Sequence, residues 1–399
     1  MRVFLVFLVI IFTAKGADWP NWRGPDHDGI SKEQPPRSNF SKILWRKDIG
    51  VGFSSLAVSG GRVFALGCSG NKNGNKETFY CLSVETGKTF WQDTYPAALV
   101  DYLHEGGPCA SPTVDGKRVY GLSKSGRLVS YDIDSGKKHW VVDLMEKAKL
   151  PRPPEWGFAA SPLILGDILI VEATFTCALD KNTGKEIWRS QVYKPAYGSP
   201  VAFEFEKQMY LATLKTDGVV ILDAKTGKTV AFQDWRTSFR TNSTTPIVVG
   251  NKIFISTGYR RGCALYEFDG KNLRQIYTNK NMSNHMNNSV LLGEYLYGFD
   301  GNTHQAGPKQ LVCMKLADGK VQWRQDGYRC GSLMAVQENL LVLGETGNLA
   351  LGTASPKGFK PTTEVQILRG RCWTVPVYSG GRIYARNAAG NLVCVNARP

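Results

Sequence analysis

ASPTVDGKRVYGLSKSGRLVSYDIDSGKKHW, residues 110–140, is a chain of short apolar runs divided by turn signals. Asp115-Gly116 separates Thr113-Val114 from the run 118–121, and Ser125-Gly126 separates that run from 128–132. Ser135-Gly136-Lys137 then leads to Trp140. Apolar and polar residues alternate within the runs, which predicts β-strands joined by tight hairpins and not helices. The expected unit is one four-stranded antiparallel sheet.

The same unit recurs on both sides of this stretch. It returns as Ala160-Ser161-Pro162 to Thr183-Gly184-Lys185 and Trp188, and as Gly198-Ser199-Pro200 to Thr226-Gly227-Lys228 and Phe232. More worn copies run from Thr245-Pro246 to Tyr277, from Asn288-Ser289 to Asp318-Gly319-Lys320 and Trp323, and from Gly331-Ser332 to about residue 360. Phe53-Ser54-Ser55 to Thr86-Gly87-Lys88 and Trp91 precedes them all. The closing aromatics at 45, 91, 140, 188, 232, 277 and 323 keep a period of about 46 residues, the mark of a propeller or solenoid.

The two ends decide between these architectures. Residues 375–395 supply three strands of a further unit and stop before its aromatic strand, whereas Ile43-Leu44-Trp45 is an aromatic strand with nothing before it. Each end completes the other, and a ring closed in this way leaves no open end to cap. The expected fold is an all-β, eight-bladed propeller of four-stranded antiparallel blades spanning residues 43–399, its last blade closed by the N-terminal strand.

Ahead of the ring, residues 1–16 carry Arg2, an apolar run from 3 to 12, and Ala14-Lys15-Gly16. This reads as a signal peptide, and the apolar run is too short to span a bilayer. Residues 17–42 are an N-terminal extended segment. Export to the periplasm or extracellular space follows, with no lipid-accepting cysteine near the start, no transmembrane span, and a monomer expected.

The chain of 399 residues has a formal net charge of +15. Its Lys and Arg are dispersed, many of them in the recurring Thr-Gly-Lys turn, so specific nucleic-acid binding is not expected. The nine cysteines are odd in number. Cys81, Cys177, Cys263, Cys313 and Cys394 fall at comparable places in third strands, too far apart to bridge one another. Cys68 and Cys81, in adjacent strands, are a candidate disulfide in an oxidising compartment. Cys-x-x-Cys and His-x-x-x-His are both absent, so no structural metal is expected.

The Ser-Pro of the first strand, the Asp/Glu-x-x-Thr-Gly-Lys hairpin and the Trp three residues after its Lys resemble the pyrroloquinoline-quinone-type (PQQ-like) propeller repeat over residues 43–396. The segment Asp18-Trp19-Pro20-Asn21-Trp22-Arg23-Gly24-Pro25 is similar to the opening of exported propellers of planctomycete-type bacteria. Among PQQ-like proteins are quinone-dependent dehydrogenases, an assembly factor for outer-membrane proteins, and secreted scaffolds. A dehydrogenase would imply PQQ, a Ca²⁺ held by Glu and Asn, a catalytic Asp and a disulfide between adjacent cysteines; this chain has no Cys-Cys.

Chemistry gathers just before the first strands, where a propeller channel opens. His104, Glu105, Trp156, Arg240, Asn242, His285, Asn287, Arg329, Arg371 and Trp373 are the expected ligand-binding residues of a channel mouth, with Lys194, Tyr197, Asn284, Asn288 and Tyr328 nearby. The three arginines favour an anionic ligand. No catalytic set is recognisable. The expected function is therefore a non-catalytic binding or scaffold propeller with a protein or carbohydrate partner. The alternatives are a PQQ-dependent alcohol or sugar dehydrogenase and an outer-membrane protein assembly factor.

Overall fold

The computed structural model describes residues 18–36, 40, 42–69, 74–99, 101, 103–195 and 197–399. The signal peptide at 1–16 lies outside the described residues. Eight four-stranded sheets form the ring, seven of them running in sequence order from an inner to an outer strand. Blades one to seven occupy 57–96, 113–143, 163–189, 201–234, 247–279, 290–325 and 332–366. The seventh thus extends six residues past the expected end, to the outer strand Thr363–Gln366. Blade eight takes three strands from the C-terminal end and its outer strand, Ile43–Asp48, from the N-terminal end, with Trp45 opposite Cys394.

One local device recurs on the outer strands. A β-bulge interrupts the pairing of third and outer strands in every blade except the seventh, two residues after the turn lysine in blades with the full Thr-Gly-Lys turn. The residue after the bulge turns into the gap between sheets. In blade one this is Trp91, whose Nε1 donates to Ile133 O of blade two at 3.1 Å. Trp45, Trp140, Tyr277 and Trp323 likewise donate to Val84, Lys181, Leu316 and Ser355 of the next blade. The turn glycine has two reasons to be glycine. Gly136 sits at φ 71°, and a Cβ there would meet the Trp91 ring at 2.5 Å.

Phe232 is a correction. The bulge in blade four places Ala231 opposite Ile221, so Ala231 takes the inward position and Phe232 turns outward, 47% exposed. Phe203, Phe205 and Tyr210 pack instead around Phe268 of blade five, with ring centroids 5.0–5.8 Å apart.

The repeated serine has its own role at the axis. Ser55 N donates to Ser111 Oγ at 3.1 Å, Ser111 N to Ser161 Oγ at 2.9 Å, and Ser161 N to Ser199 Oγ at 2.8 Å. Buried hydroxyls thereby satisfy backbone amides just ahead of the inner strands, on the axial side of the ring. Across the junction of blades eight and one, Ser55 Oγ donates to Val375 O and Thr374 Oγ1 to Phe53 O, both at 3.1 Å.

The N-terminal segment is part of this ring. Trp19 exchanges backbone bonds with Val58 of blade one, Pro20 O accepts from Val114 N of blade two, and Trp22 Nε1 reaches Thr245 Oγ1 of blade five at 3.0 Å. Blades one and five are diametrically opposite, so residues 19–22 cross the channel. Arg23 then turns under blade six, donating to Ser289 O, Asp28 O and His27 O. Ile30–Ser31 adds a parallel fifth strand to the inner edge of blade seven. One end of the axis is plugged.

All nine cysteines are free thiols. The Cys68–Cys81 bridge is overturned by register: Cys68 faces Glu77, and Cys81 faces Phe64 four rungs away. Of the five third-strand cysteines, Cys81, Cys313 and Cys394 stand opposite the inward Trp; Cys177 precedes that position by one residue and Cys263 by two.

Candidate functional site

At the end opposite the crossing segment, the loops that lead into the inner strands surround a cavity of about 160 Å³. Its floor includes Trp22, so the plug converts a through-channel into a blind pocket. The walls are aromatic. His104 stacks on Trp156 at 5.3 Å, Phe53 stacks on Trp373 at 5.3 Å, and Tyr259 meets His285 edge-on at 4.9 Å. His304 stands between, 6.5 Å from His104, 5.8 Å from His285 and 5.5 Å from Trp373.

Three of the five histidines in the chain meet here, and their protonation can be worked out. Burial drives His104 down to about 4, with the nearby Lys124 and His304 adding to the effect. It drives His285 down to about 3, helped by His304 and His104. His304 is lowered in the same way by burial and by Arg371. All three are neutral at pH 7. His104 Nδ1 accepts the Gly106 amide at 3.0 Å, and His285 Nδ1 faces the Thr303 amide at 3.3 Å and its hydroxyl at 2.9 Å. A backbone N–H can only donate, so in both rings the proton sits on Nε2.

Five of the ten expected residues line the cavity: His104, Trp156, His285, Asn287 and Trp373. The others do not, and their contacts say why. Arg371 Nη1 is paired with Glu105 at 2.6 Å and lies over the Trp373 ring at 4.5 Å. Arg329, 61% exposed, pairs with Glu345, which also accepts the Trp373 indole N–H at 3.0 Å. Asn242 is fully buried and spends its Nδ2 on Lys215 O, Thr216 O and Trp235 O. Arg240 is an exposed loop residue at φ 51°. The arginines expected to attract an anion are thus paired with carboxylates or lie away from the cavity.

Sequence reasoning missed Trp22, Phe53, Tyr259 and His304. Trp22 lies in the N-terminal segment, and Phe53 precedes the inner strand of blade one, the one blade with no residue among the expected or nearby ones; Tyr259 and His304 sit on second-to-third-strand turns, away from the starts of the inner strands. Among the nearby residues named with the ten, Tyr197 lines the cavity. Lys194 pairs with Asp217, Asn284 donates to Phe299 O, and Tyr328 donates to Glu364.

The cavity does not suit a calcium-bound quinone. Its described lining contains no Asp or Glu to hold the ion and no Lys or Arg to meet the carboxylates of the quinone. Among the described residues no group of three His, Cys, Asp or Glu is placed to hold a metal ion. The thiols offer no nucleophile either, since burial raises every cysteine above its ordinary value and keeps it protonated. No helix among the described residues is long and apolar enough to cross a membrane.

Known proteins complete the picture. The outer membrane protein assembly factor BamB of Shewanella oneidensis is 24% identical over 332 residues, covering 78% of this chain and 77% of that protein. The crystal structure of BamB from Moraxella catarrhalis superposes with a TM-score of 0.63 at 16% identity, over 90% of this chain and all of that one. The quinohemoprotein alcohol dehydrogenase of Comamonas testosteroni gives 0.68 at 12% identity, over 96% of this chain and 81% of that one, a likeness of fold alone. The model of the PQQ-like family described as outer membrane protein assembly factor BamB matches residues 41–175 and 104–325, which is most of the chain, and the protein belongs to that family.

Proposed function

We propose that this protein is an exported, non-catalytic scaffold that holds a protein partner in the assembly of outer-membrane proteins. The observation that carries the reading is an arc of exposed apolar side chains on the outer strands. Leu44, Phe90, Val141, Ile187 and Phe232 belong to blades eight, one, two, three and four, and are 36–57% exposed. The outer strands of blades five, six and seven, in contrast, have no large apolar residue among those exposed. Outer strands also present unpaired backbone groups, so the arc offers apolar contacts beside sheet edges able to accept a partner strand. Family membership and the relationship to the Shewanella BamB favour a partner in barrel assembly. The apolar leader at 3–12 supports periplasmic placement, with protein surfaces and not nucleic acid or a membrane span as the contact.

The test is capture from envelope extracts of the source organism with the tagged full chain. Recovery of an outer-membrane barrel-assembly protein at constant stoichiometry supports the reading. Recovery of none, together with alcohol or sugar oxidation by the purified protein supplied with quinone and Ca²⁺, contradicts it.

A further inference from the structure

The blind axial pocket lies apart from the outer strands, and the chemistry of its lining narrows the class of ligand that would fit it. Four properties narrow the choice. The first is size: a cavity of about 160 Å³ is close to the roughly 150 Å³ of a cavity that holds a benzene ring, so it takes one six-membered ring, with larger substituents directed to its open mouth. The second is charge. In a chain of formal net charge +15, the described lining contains no Lys, Arg, Asp or Glu; Lys124, whose charge acts on His104, is buried behind it, and Arg371 is paired with Glu105.

The third is the arrangement of hydrogen-bonding groups. His104 and His285 hold their protons on Nε2, because each Nδ1 faces a backbone amide. Ser161 and Ser199 accept the backbone amides of Ser111 and Ser161 at the oxygen, which leaves the O–H of each as a donor beside the cavity they line. Asn287 commits its Nδ2 to Gly331 O at 2.7 Å, leaving the amide oxygen as an acceptor. The fourth is the walls, where Trp156 offers apolar ring surface, while Trp373 is held against Phe53 and Arg371 and is 4% exposed. Uncharged donors and an acceptor around aromatic surface match a ring with C–H faces and hydroxyl edges, since each hydroxyl both accepts and donates.

We infer that the pocket binds an uncharged hexopyranose, either free or as the terminal unit of a neutral glycan. The inference goes beyond the scaffold role and does not depend on it, because the pocket opens at the axis and the apolar arc lies on the outer perimeter. Loss of partner capture would leave it intact, and loss of sugar binding would leave the scaffold reading intact.

The experiment titrates the purified full-length protein at pH 7, following tryptophan fluorescence and saturation-transfer NMR. The probes are the methyl glycosides of glucose, galactose and mannose, a neutral trisaccharide, glucuronic acid, and the aromatic probes indole and benzyl alcohol. At least one neutral sugar is expected to bind saturably, and glucuronic acid at least tenfold more weakly. Preference for the methyl glycoside identifies a free-hexose site, and preference for the trisaccharide a glycan-end site. Trp156→Ala is expected to weaken binding at least tenfold. Because that change removes a wall, Leu103→Trp at the exposed rim is the second variant; it fills the mouth without touching the core and should produce the same loss. No saturable response to any neutral sugar overturns the inference. So does undiminished binding in both variants, or tenfold stronger binding of indole or benzyl alcohol than of every sugar.

Discussion

Trp91 and Gly136 illustrate the scale at which the ring is stabilised. The indole packs where a side chain would otherwise stand and donates to the next blade, so one residue joins two sheets. Trp91→Ala removes a large aromatic from that interface and should cost about 3–5 kcal/mol in urea unfolding. Gly136→Ala forces a Cβ into the indole at positive φ and should cost well over 1 kcal/mol. Phe232→Ala removes an exposed ring and should change stability by less than about 0.5 kcal/mol, a contrast that also tests the corrected register of blade four.

Acid response belongs to the same scale. His285 is held near 3 and His104 near 4, against an ordinary 6.5, so below pH 6.5 the unfolded chain takes up protons more readily than the folded one. Their stabilising contribution is present above pH 6.5 and is lost as the pH falls toward those values. Glu77 acts in the opposite direction. Burial pushes its carboxyl up to about 7, so its contribution is present below 4.5 and is lost as the pH rises through 7. Melting curves from pH 7 to 4 should therefore fall less steeply for His285→Gln than for the parent, and between pH 4.5 and 7 Glu77→Gln should remove a decline. A parent-like slope in either variant contradicts the assignment.

At the scale of the element, the repeat was legible because its signals are local. Hairpin turns, alternation and the Thr-Gly-Lys-x-x-Trp spacing each act within a few residues, and the strands formed where they were expected. Blade four shows what an incomplete signal costs. The residue three after its Lys228 is Ala231, and preference for the aromatic at 232 put the wrong side chain inward. Half of the ten residues expected at the site line it, for a related reason. Residues just before inner strands do converge, but which of them reach the cavity is set by pairings such as Arg371 with Glu105, hundreds of residues apart in sequence. Trp22 was hidden because nothing local says that residues 19–22 cross the axis. The outer strands carry their own prediction. Phe90→Glu combined with Ile187→Glu should lower partner capture at least tenfold while leaving the melting temperature within about 2 °C, because both side chains are more than half exposed.

For the molecule as a whole, closure is made twice. The outer strand of blade eight comes from the N-terminal part of the chain, and the crossing segment ties blades one, two, five, six and seven beneath it. Removing residues 18–36 while keeping 43–48 should leave the ring formed yet open the plugged end, seen as faster hydrogen exchange at Val58, Val114 and Ala335. Deleting 43–48 should instead unpair Asn391–Asn396 and abolish cooperative unfolding. The closed ring gives the scaffold its rigidity, and the apolar arc gives it a sided surface.

That sidedness is measured most directly by site-specific photo-crosslinking in living cells, with the probe placed in turn at Phe90, Ile187 and Gln322, followed by mass spectrometry. The account predicts adducts to one envelope assembly protein from positions 90 and 187, on the apolar arc, and none from 322 on blade six. Equal adducts from all three positions, or none from any of them, would contradict it.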